Sequence, residues 1–158
     1  MIALLALWIA TAFPSGSKTG WMRPESFHLA IGMKRGDTMK ELQSKGWKPK
    51  KGDKPEELVL DYADDKTLTM LFGGDRLESI RFELFTILHD AHGAFDEEKS
   101  YLRTALGPPK KLKSPQVLLY DNKLPNIMVV LSADPKSEQG QKGVGMLVVR
   151  YFDPVGKR

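Results

Sequence analysis

A chain of 158 residues, 41% of them hydrophobic, suits one compact unit or two small ones sharing a core. It contains no cysteine, which excludes disulfides, thiolate metal sites, a cysteine nucleophile and a lipid-attachment cysteine among these residues. The formal charge is +4 at pH 7, and the basic excess lies in residues 94–158. Aromatics are not interleaved with a basic stripe, so nothing points to nucleic acid.

Residues 1–12 read as a signal peptide. Residues 2–10 form an uncharged apolar run of the length of an h-region, and Ala10-Thr11-Ala12 has the small-x-small form of a cleavage site. The usual basic n-region is missing, and the run is too short to span a membrane, so no transmembrane segment is expected. The competing readings are a buried strand, or translation from Met22. Residues 13–26, with Pro14, Ser15, Gly16, Ser17 and Gly20, read as a flexible leader.

Residues 27–88 are expected to form a first unit. After an apolar lead-in at 27–31, Asp37 or Thr38 suits a helix N-cap, and Thr38 with Glu41 has capping-box form. The helix runs through Met39 and Leu42 to about Lys45, and Gly46 is placed to end it in the left-handed conformation. Three strands follow, at 58–62, 66–72 and 77–84. Leu68, Met70 and Phe72 alternate with Thr67, Thr69 and Leu71, and Ile80, Phe82 and Leu84 alternate with Ser79, Arg81 and Glu83. That period of two is the mark of strands buried on one side. Asp64-Asp65 and Gly73-Gly74-Asp75 supply the turns.

Residues 89–153 are expected to form a second unit. His89 to Gly93 looks like a turn-like connector, and Asp96, Glu97 and Glu98 would load the first turn of a helix with the charge its dipole favours. Phe95, Leu102 and Leu106 share one face of that helix, and Gly107-Pro108-Pro109 stops it. Strands are predicted at 116–120, 126–132 and 144–152, with a polar loop over 135–143 and a tail over 154–158. The two units align at an offset of about sixty residues: helix, glycine stop, Pro-Lys-Lys, three strands. The fold expected is α+β, with two tandem helix-plus-three-stranded antiparallel meander units forming a joined sheet with helices on one face.

The stretch Leu-Ala-Ile-Gly-Met-Lys-Arg-Gly-Asp-Thr-Met-Lys-Glu-Leu at 29–42 resembles the Ile-Gly-Met-Thr-x-x-x-Val-x-x-x-Leu-Gly signature of the bacterial envelope SmpA/OmlA family and of secreted β-lactamase inhibitory proteins. Leu102-Arg103-Thr104-Ala105-Leu106-Gly107-Pro108-Pro109 is similar to the Leu-Gly-x-Pro end of the same helix. The resemblance implies tandem helix-and-sheet units with a concave sheet, and a role in binding proteins. The lipidation cysteine of the one group and the disulfides of the other are absent, and no binding residue of either carries over.

No catalytic motif stands out, and an enzyme is not expected. His89 and His92 flank Asp90 and would need a third ligand to hold a metal. No serine sits in Gly-x-Ser-x-Gly. Lys48, Lys50, Lys51 and Lys54 recur as Lys110, Lys111 and Lys113, each group just past a helix end. They serve helix C-termini and solubility, or else form a basic rim for an acidic partner or weak contact with anionic surfaces. Residues 127–131 and 146–149 are apolar on both faces, as a central or partner-covered strand would be. If a partner binds the open sheet face, Tyr62, Arg81, Tyr120, Arg150 and Tyr151 are the side chains expected to meet it, with Lys50, Lys51, Lys110 and Lys111 at the rim. The expected function is that of an exported, periplasmic or secreted protein-binding module without cofactor, inhibitor-like or an assembly accessory. The alternative is a small-ligand or lipid-binding domain, which would show a closed apolar cavity between sheet and helices.

Overall fold

Alternation of apolar and polar residues builds the strands, and their register decides what they bury. The computed structural model describes residues 16–110, 112, 114–121, 125–133 and 143–153. A short 3-10 helix (Pro24–Phe27) leads into α1 (Arg35–Ser44). Next come β1 (Lys50–Lys51), β2 (Glu57–Ala63), β3 (Lys66–Gly73) and β4 (Arg76–Ile87). Helix α2 (Leu88–Leu106) precedes β5 (Val117–Tyr120), β6 (Asn126–Ala133) and β7 (Val144–Phe152). All strand pairings are antiparallel, in the order β1-β2-β3-β4-β7-β6-β5, so the last strand lies inside the sheet.

One row shows how the core is made. Leu58, Met70, Ile80, Tyr151, Ile127 and Tyr120 stand opposite one another across β2, β3, β4, β7, β6 and β5, and all are buried. Each such side chain contributes roughly 1.5–3 kcal/mol by leaving water. Near the start of β4 the pairing slips by one residue: Leu71 faces Ser79, but Phe72 faces Leu77. The extra residue, Glu78, is a bulge that turns Leu77 back into the core. Gly74 takes φ +59 in the β3–β4 turn, a conformation open to glycine at no steric cost.

The expected architecture of two tandem helix-plus-three-strand units is not what forms. The fold is a single seven-stranded antiparallel sheet with two α-helices, dominated by the sheet. The halves are unequal: Lys50–Lys51 adds a strand to the first, α1 has 10 residues and α2 has 19. Helix α2 lies across β4, β6 and β7, so it covers strands from both sides of the expected boundary. Strand periodicity reports which residues pair with a core, not how many cores there are. Here the ladder from Ser79–Phe152 to Ile87–Val144 merges the two sets of strands into one.

Three further expectations are corrected. Helix α2 begins at Leu88, not near Asp96, and His89 to Gly93 are helical. Ala91, Ala94, Phe95, Glu98 and Leu102 form its buried stripe, whose packing offsets the cost of about 1 kcal/mol for a mid-helix glycine. Residues 16–26, read as a flexible leader, are part of the packed structure: Met22 and Thr19 are buried, and Trp21 stacks on Tyr62. Helix α1 starts after Lys34 without a side-chain cap, and Thr38 instead donates to the Lys34 carbonyl. At its other end Gly46, at φ +79, turns the chain so that Trp47 packs on Phe27.

Candidate functional site

The apolar side chains of the buried rows all point to the face covered by α2 and by residues 16–34. Between these covers, at the end of the sheet near the C-terminal half of α2, lies a groove of about 660 Å³. Leu29, Ala30 and Ile31 form one wall, Tyr101, Leu102 and Ala105 the other, and Ile127 and Tyr151 the floor. Arg23, Glu25 and Asp153 are the charged residues among those that line it.

The segment that carries Arg23 is held to α2 by two neighbouring carboxylates with opposite environments. Glu97 accepts from the Ser17 hydroxyl at 2.5 Å, the Lys18 amide at 3.0 Å, and the Thr19 amide and hydroxyl at 3.4 and 3.1 Å. Burial would raise its pKa, but these hydrogen bonds together outweigh burial and hold it below the usual value. Glu98, on the buried stripe, is fully enclosed. Its Oε2 meets Arg23 Nη2 at 3.4 Å, and among the described residues its Oε1 has no hydrogen-bond partner. Burial pushes the Glu98 carboxyl up to about 7, against the opposing pull of Arg23 and Thr19. The Arg23 guanidinium also lies 3.5 Å above the Tyr101 ring.

The residues expected on one binding face are split between two. Arg150 and Tyr151 are adjacent, so a strand sends them to opposite sides. Tyr120 and Tyr151 are buried on the covered face, and burial first, then the Glu98 charge, raises both phenols. The Tyr120 hydroxyl has no hydrogen-bond partner among the described residues. Tyr62 is 42% exposed, yet belongs to an aromatic cluster with Trp21, Phe27 and Trp47 at the edge of the core. Arg81 and Arg150 are on the other face: Arg81 pairs with Glu83 at 3.0 Å, and Arg150 donates to Ser79 at 2.8 Å. Lys50 pairs with Asp61 and Lys110 with Asp121, which leaves a weaker basic rim than the lysine count suggests. Lys51 is exposed on β1, and Lys111 lies outside the described residues.

Among the described residues, no helix lies on that other face. Val117, Leu119, Met128, Val130, Met146 and Val148 lie on it across β5, β6 and β7, all partly exposed, and Phe85 beside them is 57% exposed. His89 and His92 are exposed on α2, and among the described residues no group of three or more His, Asp and Glu could hold a metal ion. No helix among the described residues is long and apolar enough to cross a membrane. Compared with known proteins, the chain matches no family model, no curated protein and no solved structure.

Arg23, Glu98 and Tyr101 are the residues that sequence reasoning missed. A signal for Glu98 existed: it stands three residues after Phe95 and four before Leu102, inside the apolar stripe. Arg23 carried no such signal, because its partner is far away in sequence.

Proposed function

We propose that the protein is a non-enzymatic binding module that meets a protein partner through the uncovered face of its sheet. The observation that supports this reading is the run of partly exposed apolar side chains from Val117 to Val148 across β5, β6 and β7, flanked by Arg81, Arg150 and Phe85. A sheet covered on one side needs apolar residues only on that side. An apolar patch edged by arginine and aromatic residues is the composition of an interface centre. Export to the periplasm or beyond belongs to the same proposal and rests on residues 1–12, and kinship with the SmpA/OmlA proteins rests on the motif at 29–42.

The test is capture from a bacterial envelope extract by the full chain and by Val148→Lys, with chemical cross-linking. A stoichiometric protein held by the wild type and lost by the equally stable variant is expected. Equal capture by both, or none by either, would contradict the reading.

A further inference from the structure

Taken strand by strand, the uncovered face carries two neighbouring rows that answer one another. One row is Val117, Val130, Val148, Glu83, Thr67 and Asp61, on β5, β6, β7, β4, β3 and β2 in turn. The next is Leu119, Met128, Arg150, Arg81, Thr69 and Val59, with Lys50 of β1 opposite Val59. On each strand the two members are two residues apart, so they share the face. Apolar matches apolar on β5 and β6, threonine matches threonine on β3, and Glu83 matches Arg81 on β4. At the edge Asp61 pairs with Lys50 of the neighbouring row. We infer that this face binds a second copy of the chain, sheet on sheet, about a two-fold axis that runs across the strands between the two rows. The inference rests on the reading of the uncovered face as a protein-binding surface, and it names the partner.

Such an axis lays each strand over its own counterpart in the opposite direction and exchanges the rows. Glu83 of each copy then faces Arg81 of the other, Val117 faces Leu119, and Val130 faces Met128. Met146 likewise faces Phe152, two more partly exposed apolar residues of β7. Val148 faces Arg150, whose guanidinium turns aside to Ser79 at 2.8 Å and leaves its alkyl stem for packing. Within one chain Arg81 and Glu83 form a partly exposed pair at 3.0 Å, which adds little to stability. Repeated across a contact, the same charges fix the register of two sheets that would otherwise slide. A face shaped only for an unrelated protein has no need of rows that match each other. The size also fits. With strands about 4.8 Å and rows about 6.8 Å apart, the matched rows and the shorter ones at Met146 and Phe152 cover roughly 650 Å². The roughly 1,300 Å² of the pair falls in the lower part of the range for specific interfaces. Two sheets packed about 10 Å apart, with strands within about 30° of each other, form an ordinary β-sandwich.

The experiment is sedimentation equilibrium of the full chain at low salt, over concentrations that span a dissociation constant on the order of 10 µM, as a contact of this size gives. The mass should rise from 17.7 kDa towards twice that value. Val148→Lys, on the same face, should keep the mass of one chain. Arg81→Glu and Glu83→Arg alone should each weaken dimerisation roughly tenfold or more, by setting like charges against each other across the axis. Mixed in equal amounts, the two variants should dimerise as the wild type does, because each supplies the charge the other lacks. The pair within a chain stays broken in both variants, so only a contact between chains can give that rescue. Three results would each overturn the proposal: the mass of one chain at every concentration, a dimer untouched by Val148→Lys, or single variants that are unchanged or not rescued by mixing. The reading of the face itself fails only if Val148→Lys also leaves capture from the extract unchanged, so the two failures are distinct.

Discussion

The two flanks of the sheet make the same covered face and different uncovered ones. On the covered side Leu58, Leu68, Ile80 and Phe82 of β2–β4 continue without a break into Leu147, Val149 and Val129 of β7 and β6. On the other side β3 and β4 carry Thr67, Thr69, Leu71, Arg81, Glu83 and Phe85, while β6 and β7 carry Met128, Val130, Met146 and Val148. The first flank is the more polar of the two, with threonine, arginine and glutamate between Val59, Leu71 and Phe85. The second flank's extra apolar residues are therefore more than the core under α2 asks for, and the proposed partner surface rests on them.

The largest effect expected is on the covered side. Phe82→Ala removes a fully buried ring and should cost about 3–5 kcal/mol in urea unfolding. The comparison breaks if the loss is under about 1 kcal/mol, as for a surface residue.

The charge enclosed on that side gives the next effect. Glu98 titrates at 4.5 when exposed and is pushed up to about 7 by burial. The folded protein thus keeps a proton that the unfolded chain has already lost. This group's contribution is most favourable below its unfolded value and falls as pH rises through the folded one, by about 3 kcal/mol in total. Urea melts across that range should show the decline, and Glu98→Gln should flatten it. A stability that rises over the same window would mean that Arg23, not burial, governs Glu98.

Closer packing sharpens the contrast further. A methyl group added at Gly145 would stand 2.7 Å from the Ala91 Cβ and 3.2 Å from the Leu88 backbone. Gly145→Ala should lower stability by about 1–3 kcal/mol through overpacking against α2. The smallest effect belongs to the uncovered flank, where Val148→Ala should change stability by less than about 1 kcal/mol in the same assay.

Much of the strand content was legible because period two is a local signal: Leu68, Met70 and Phe72 announce themselves within one strand. The pairing of β4 with β7 is non-local, and nothing within either strand specifies how many cores result. Gly93 looked like a helix breaker, and only the buried stripe from Ala91 to Leu102 explains its place inside α2. The acidic run at 96–98 reads equally well as a helix start, which hid the burial of Glu98. Side-chain chemistry groups Tyr120 and Tyr151 with Arg81 and Arg150, although alternation alone separates Arg150 from Tyr151. The Arg23–Glu98 contact spans 75 positions and left no trace in either neighbourhood.

Neighbouring residues provide the most direct test of a sheet covered on one side and open on the other. Val149 is fully buried and Val148 is partly exposed on the opposite face. Calorimetric melting of Val149→Lys and Val148→Lys should give an unfolded or strongly destabilised protein for the first and a near wild-type transition for the second. Two equally damaging substitutions, or two harmless ones, would contradict the account.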